Sequence, residues 1–146
     1  MRFLFRILTS VLFVAVLVQI GLSGYGAFDA IHKAKSGPVT KHTIEHGFDP
    51  HGIVGTVILA VMVLLVLVAA VPKLRAEWLK WSVGLLVLGV IQMILAAVAT
   101  SVPVVGFVHG LNAAVIYAGA AMLAHRAWTR RREEPAPEPE PVPAPE

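Results

Sequence analysis

The stretch GFDPHGIVG, Gly47 to Gly55, runs straight into TVILAVMVLLVLVAAV, Thr56 to Val71, and together they decide the fold class. From Ile53 to Val71 the only polar side chain is Thr56. About 20 apolar residues in helical form cross roughly 30 Å of hydrocarbon, so this run predicts a transmembrane helix with His51 at its threshold. Three further runs have the same character: Ile7 to Phe28, Val83 to Val102 and Pro103 to Leu123. The last two abut. Thr100-Ser101-Val102-Pro103 supplies capping hydroxyls and a proline suited to a first helical position, which predicts a tight hairpin there rather than one over-long helix.

The fold class read from this pattern is all-α: a polytopic membrane protein, an up-down bundle of four transmembrane helices. The helices are expected at about 7–28, 50–72, 80–101 and 103–127, within a unit spanning 1–128. A mean hydropathy of +0.76 over 146 residues excludes an ordinary soluble domain. The remainder, 129–146, is rich in Arg and then in Pro and Glu, and is expected to be a disordered tail because it has too little apolar mass to build a core. With no cysteine, disulfides, thiolate metal sites and covalently attached haem are excluded, so metal chemistry would fall to histidine, carboxylates or backbone.

Charge sets the expected orientation. Arg2, Arg6, Lys73, Arg75, Lys80, Arg126, Arg130, Arg131 and Arg132 all fall on one side of the four runs, leaving only Lys33, Lys35 and Lys41 on the other. The positive-inside rule then makes both termini cytoplasmic, in a plasma membrane. Trp78, Trp81 and Trp128 sit at the same boundary, where indoles favour the interface. MRFLFR resembles the basic start of a secretory signal, and Gly24-Tyr25-Gly26-Ala27 a cleavage region, but the apolar run is long for a signal and reads as an anchor.

Within lipid a polar side chain needs a reason, so depth is informative. Gln19, His51, Thr56, Gln92, His109 and Asn112 all map to the outer halves of their helices, while inner halves such as AVMVLLVLVAAV are aliphatic. Polar groups do not span the full thickness, which argues against a channel or pump. No acid, base or nucleophile suited to catalysis stands at membrane depth, so an enzyme is not expected.

The two halves echo each other. Helix one carries Gln19 and helix two opens HGIVGTVI, His51 to Ile58; helix three carries Gln92 and helix four holds HGLNAAVI, His109 to Ile116. This suggests two hairpins related by a pseudo-two-fold axis along the membrane normal. In such a bundle the second and fourth helices lie on a diagonal. Two imidazoles reaching across it could hold one metal in a flat macrocycle, so His51 and His109 are the candidate cofactor-binding and metal residues and haem b the candidate cofactor. Gly52, Gly55, Gly106 and Gly110 would leave room for a porphyrin, and His125, at the inner end, lacks a partner.

Plainer readings stand beside these. His51 could lie in a first turn capped by Asp49, with Pro50 following and Phe48 packing on Ile53. Gln19, Gln92 and Asn112 could be hydrogen-bonding glue between helices. His42 and His46, four apart, have a zinc-compatible spacing if helical but look like a wet surface. Gly21, Gly24, Gly84 and Gly89 read as close-packing positions.

The Gln-bearing first helix, the PHGIVG entry and the VHGLN entry resemble small four-helix bacterial membrane proteins of unknown function. The unit from Arg2 to Ala127 is also similar to one four-helix half of the haem A synthase family, which implies haem binding through paired histidines. The synthase pattern has Glu three residues before its histidine and Arg after it; here Phe48 and Gly52 stand in those places. What the resemblance implies is therefore ligation by His51 and His109, serving electron transfer, haem handling or redox sensing, without synthase chemistry. The rival expectation is a cofactor-free structural or assembly protein. The bilayer is the expected partner, with haem or a redox partner besides; nucleic acid is not expected, and oligomeric state is not legible.

Overall fold

The computed structural model describes residues 1–72, 74 and 76–129. Among these are four helices and no strand: α1 (Arg2–Ala34), α2 (Lys41–Ala69), α3 (Ala76–Ala99) and α4 (Pro103–Thr129). All four are long and apolar enough to cross a membrane. The expected tail, apart from Thr129, lies outside the described residues. The hairpin at Thr100 to Pro103 is present, with Val102 N–H bonding back to the Val98 carbonyl and Pro103 opening α4.

The first two helices depart from the expected bounds. α1 runs on to Ala34 and α2 begins at Lys41, so most of the segment read as a loop is helical. The start of α2 is set by Thr40, whose backbone is extended and whose hydroxyl accepts the Thr43 N–H at 3.2 Å. Asp49 is therefore not the cap; its carboxylate meets His46 Nδ1 at 3.1 Å. Pro50 lies inside the helix, where it removes one backbone hydrogen bond without ending it. Phe48 does not staple onto Ile53, which is 65% exposed. It lies against α1, so close that a Cβ on Gly26 would sit 2.9 Å from its ring. Local apolar pattern marked where lipid begins, whereas the helix ends follow capping and the contact between α1 and α2.

The helices form a ring in which α1 and α3 each pack on α2 and α4, with no close backbone approach across either diagonal. Gly26 meets Phe48 while Gln19 meets His51, so α1 and α2 run in opposite senses. Leu85 faces Gly119 while Gln92 faces His109, giving the same relation for α3 and α4. Arg6 meets Ala127 while Phe13 stacks on Tyr117, which fixes α1 against α4 likewise.

The core occupies one end only. Phe5, Leu12, Met62, Leu65 and Leu123 are wholly buried there, and Phe5 stacks on Trp78 at 4.5 Å. Two arginine clasps close this tryptophan end. Arg6, itself buried, donates from Nε to the Ala127 carbonyl at 2.7 Å and lies over Trp128, thereby neutralising part of the carbonyl-rich C-terminus of α4. Arg126 pairs with Glu77 at 3.5 Å and lies over Trp81.

The internal repeat extends through the packing. Every buried residue of α3 has a buried counterpart 73 positions earlier in α1 (Phe5 and Trp78, Thr9 and Ser82, Leu12 and Leu85, Val16 and Gly89), and Gln19 and Gln92 share that offset. In α2 and α4 the offset is 58 positions (51 to 109), and it relates Ile58 to Ile116, Met62 to Ala120, Leu65 to Leu123 and Ala69 to Ala127. Thr9 and Ser82 even share a device, each hydroxyl bonding back to a carbonyl of its own helix. Of the glycines expected at close contacts, Gly89 is one: a Cβ there would lie 2.6 Å from Met62 Sδ. Gly21, Gly24 and Gly84 have open space instead.

Candidate functional site

Past Val16, Ile58, Gly89 and Ile116 the helices have almost no buried side chains, and this is where the polar residues begin. Each hairpin organises its own histidine. In the first, Gln19 Nε2 donates to the His51 carbonyl at 2.8 Å, and His51 Nδ1 returns a bond to the Gln19 carbonyl at 3.1 Å. In the second, His109 Nδ1 bonds the Gln92 carbonyl at 3.2 Å. A carbonyl only accepts, so both Nδ1 atoms carry the proton and both Nε2 atoms are left with a lone pair.

The two imidazoles meet across the α2–α4 diagonal with ring centres 6.3 Å apart and planes inclined at 56°. They therefore stand at similar height, as a shared ligand requires. Metal–imidazole bonds of about 2 Å, plus roughly 1 Å from each nitrogen to its ring centre, put two rings on opposite sides of one metal about 6 Å apart.

The halves differ in how each glutamine is held. Asn112 Nδ2 donates to the Leu88 carbonyl at 3.0 Å and to Gln92 Oε1 at 2.7 Å, which orients the Gln92 amide to donate to His109 Nε2 at 3.1 Å. The counterpart of Asn112 in α2 is Val54. Nothing there engages Gln19 Oε1, a buried oxygen with no hydrogen-bond partner, and His51 Nε2 has none among the described residues. Gln19, Gln92 and Asn112 all bridge helices, as the glue reading expects, but only the second trio is closed.

Between the histidines lies a cavity of about 120 Å³, lined by Gln19, His51, Gln92 and His109 and by apolar groups that include Val16, Ile58, Met62, Met93 and Ala113. A Cβ on Gly52 or Gly110 would meet nothing within 4 Å, whereas one on Gly55 would lie 3.0 Å from Gln19 Nε2. The ring-centre distance is compatible with two imidazoles on one metal, but the lone pair of His109 Nε2 is already engaged by the Gln92 amide. The cavity, which is partly open, is also small: its volume is below the roughly 300–1,000 Å³ of sites for larger ligands, so a whole macrocycle would require the thinly packed helix ends to part.

His42 and His46 do lie on one helix, with ring centres 6.2 Å apart. Among the described residues, however, no three His, Asp or Glu side chains converge as a metal-binding group. His125 lies near the tryptophan end, away from this site.

Fold and site define the class: a four-helix membrane bundle with an internal repeat and a pocket flanked by a histidine and a glutamine from each half. Compared with known proteins, the chain matches no family model, no curated protein and no solved structure.

Proposed function

We propose that the protein is a plasma-membrane bundle with both termini cytoplasmic, its histidine end outward, holding one b-type haem between α2 and α4 through His51 and His109. The carrying observation is the pair of imidazoles 6.3 Å apart with both Nδ1 atoms tied to backbone carbonyls. Such second bonds orient a metal-ligating histidine and leave Nε2 to the metal. The resemblance to one half of haem A synthase points the same way. The haem would supply one-electron chemistry, for electron transfer, haem handling or redox sensing. On this reading the chain's own residues set the ring orientations and keep the surroundings apolar, and the Gln92 amide gives up its bond to His109 Nε2.

A second reading, a cofactor-free structural or assembly protein, is favoured by that same Gln92 bond and by the small cavity. The absorption spectrum of protein purified in mild detergent from haem-replete cells separates the two. We expect a Soret band and a reduced-minus-oxidised α-band, both lost in His51→Ala and in His109→Ala. A colourless, well-folded preparation sinks the haem reading and favours the second.

A further inference from the structure

We propose that the α1–α2 half of the pocket is a subsite for a phenolic ring of the hydroquinone class, entering from the bilayer. The inference goes beyond the haem reading and does not rest on it. Its basis is the asymmetry between the repeats. In the second half the glutamine and the histidine are both engaged: Asn112 donates to Gln92 Oε1, and the Gln92 amide donates to His109 Nε2. In the first half, with Val54 in place of the asparagine, Gln19 Oε1 is buried with no hydrogen-bond partner, and His51 Nε2 makes no hydrogen bond among the described residues.

Both groups are acceptors by the hydrogen bonds already made. Gln19 Nε2 is spent on the His51 carbonyl, which identifies the other atom as the oxygen, and His51 Nδ1 is spent as a donor on the Gln19 carbonyl. Two acceptors beside an apolar cavity call for a ligand with O–H donors on an apolar body. Leaving a buried acceptor unpaired is costly, so the donor contributes specificity as well as affinity. Size selects the same class: the cavity of about 120 Å³ is on the scale of one that accepts a single benzene ring. Its walls, Val16, Ile20, Ile58, Leu59 and Ala113, match the ring faces, and Gly52 leaves the entry beside His51 open.

The oxidised form of the same ring carries carbonyls, which only accept, and cannot satisfy either group. Selectivity for the reduced form is thus the signature of the subsite. The test is calorimetric titration of the protein, as purified in lipid nanodiscs, with methylhydroquinone and separately with methylbenzoquinone. We expect saturable binding of the hydroquinone at one per chain and at least about tenfold weaker binding of the quinone.

Val54→Asn places on α2 the amide that Asn112 places on α4, and is expected to occupy Gln19 Oε1 and weaken hydroquinone binding by about tenfold with His51 unchanged. Gln19→Leu should do the same, and helix content and elution volume report whether either variant is folded. Equal binding of both ring forms, absence of saturation, or wild-type binding by both folded variants overturns the proposal. Haem and hydroquinone compete for His51 Nε2, so in a red preparation the hydroquinone should also perturb the Soret band. A colourless protein that binds the ring defeats only the haem reading, and a protein that takes up haem but ignores the ring when purified haem-free defeats only this one.

Discussion

At the scale of single residues, small side chains at a few contacts decide whether the helices can approach. Gly89 is the sharpest case, since Met62 Sδ fills the space its side chain would take. Gly89→Val should lower stability by about 1–3 kcal/mol, the usual cost of overpacking, seen as a lower midpoint in thermal unfolding in detergent, with partial recovery on adding Met62→Ala. Gly21→Ala, where a Cβ meets nothing within 4 Å, should leave that midpoint unchanged. Sequence alone marked Gly21 and Gly89 equally as close-packing positions. What separates them is the neighbour each glycine faces, which depends on how α2 lies against α3. His51 and His109 were legible for a different reason: a duplicated His-Gly after a duplicated glutamine survives in the chain itself. Val54 against Asn112 was visible in the same alignment, but its meaning required the Gln92 and Gln19 contacts.

At the scale of elements, the ends of α2 are set by its cap and its partner more than by its apolar run. Thr40→Ala should remove the bond to the Thr43 N–H and cost the first turn about 1 kcal/mol. Hydrogen exchange is the direct measurement: amides of 41–46 should exchange faster, while those around His51, tied to α1 by the reciprocal Gln19 bonds, should not. If protection near His51 falls equally, the first turns and the site are one cooperative unit. The expected start at Asp49-Pro50 placed a plausible cap and first residue at the point where the apolar run begins. The helix begins nine residues earlier, at Lys41, because an equally good cap stands there and the segment between packs on the far end of α1. Competing caps cannot be ranked without knowing that contact.

At the scale of the whole molecule, the bundle is closed at one end and thinly packed at the other. The closed end depends on Arg6, which ties the start of α1 to the end of α4. Arg6→Ala should cost about 1.5–3 kcal/mol through the lost charge-assisted bond, with Arg6→Lys recovering only part because an ammonium cannot reproduce the flat guanidinium over Trp128. Thermal unfolding of both variants in detergent checks this. Topology has its own test. A membrane-impermeant thiol reagent applied to intact cells should label Ser36→Cys, between α1 and α2, and spare Glu138→Cys; the reverse pattern would invert the proposed orientation.

By itself, the sequence determined that this chain forms four membrane-length helices, that its halves repeat, and that its polar residues gather toward one end. Those properties follow from composition and period along the chain, which each helix carries whatever its neighbours do. Only the tertiary structure decided that Phe5 meets Trp78, that Arg6 closes the tryptophan end, and that the two histidines face each other at 6.3 Å. It also decided that one glutamine is held while the other keeps a buried oxygen unpaired. These depend on rotation and register between helices whose contacting residues lie 20 to 121 positions apart, which sequence period leaves free and side-chain packing selects.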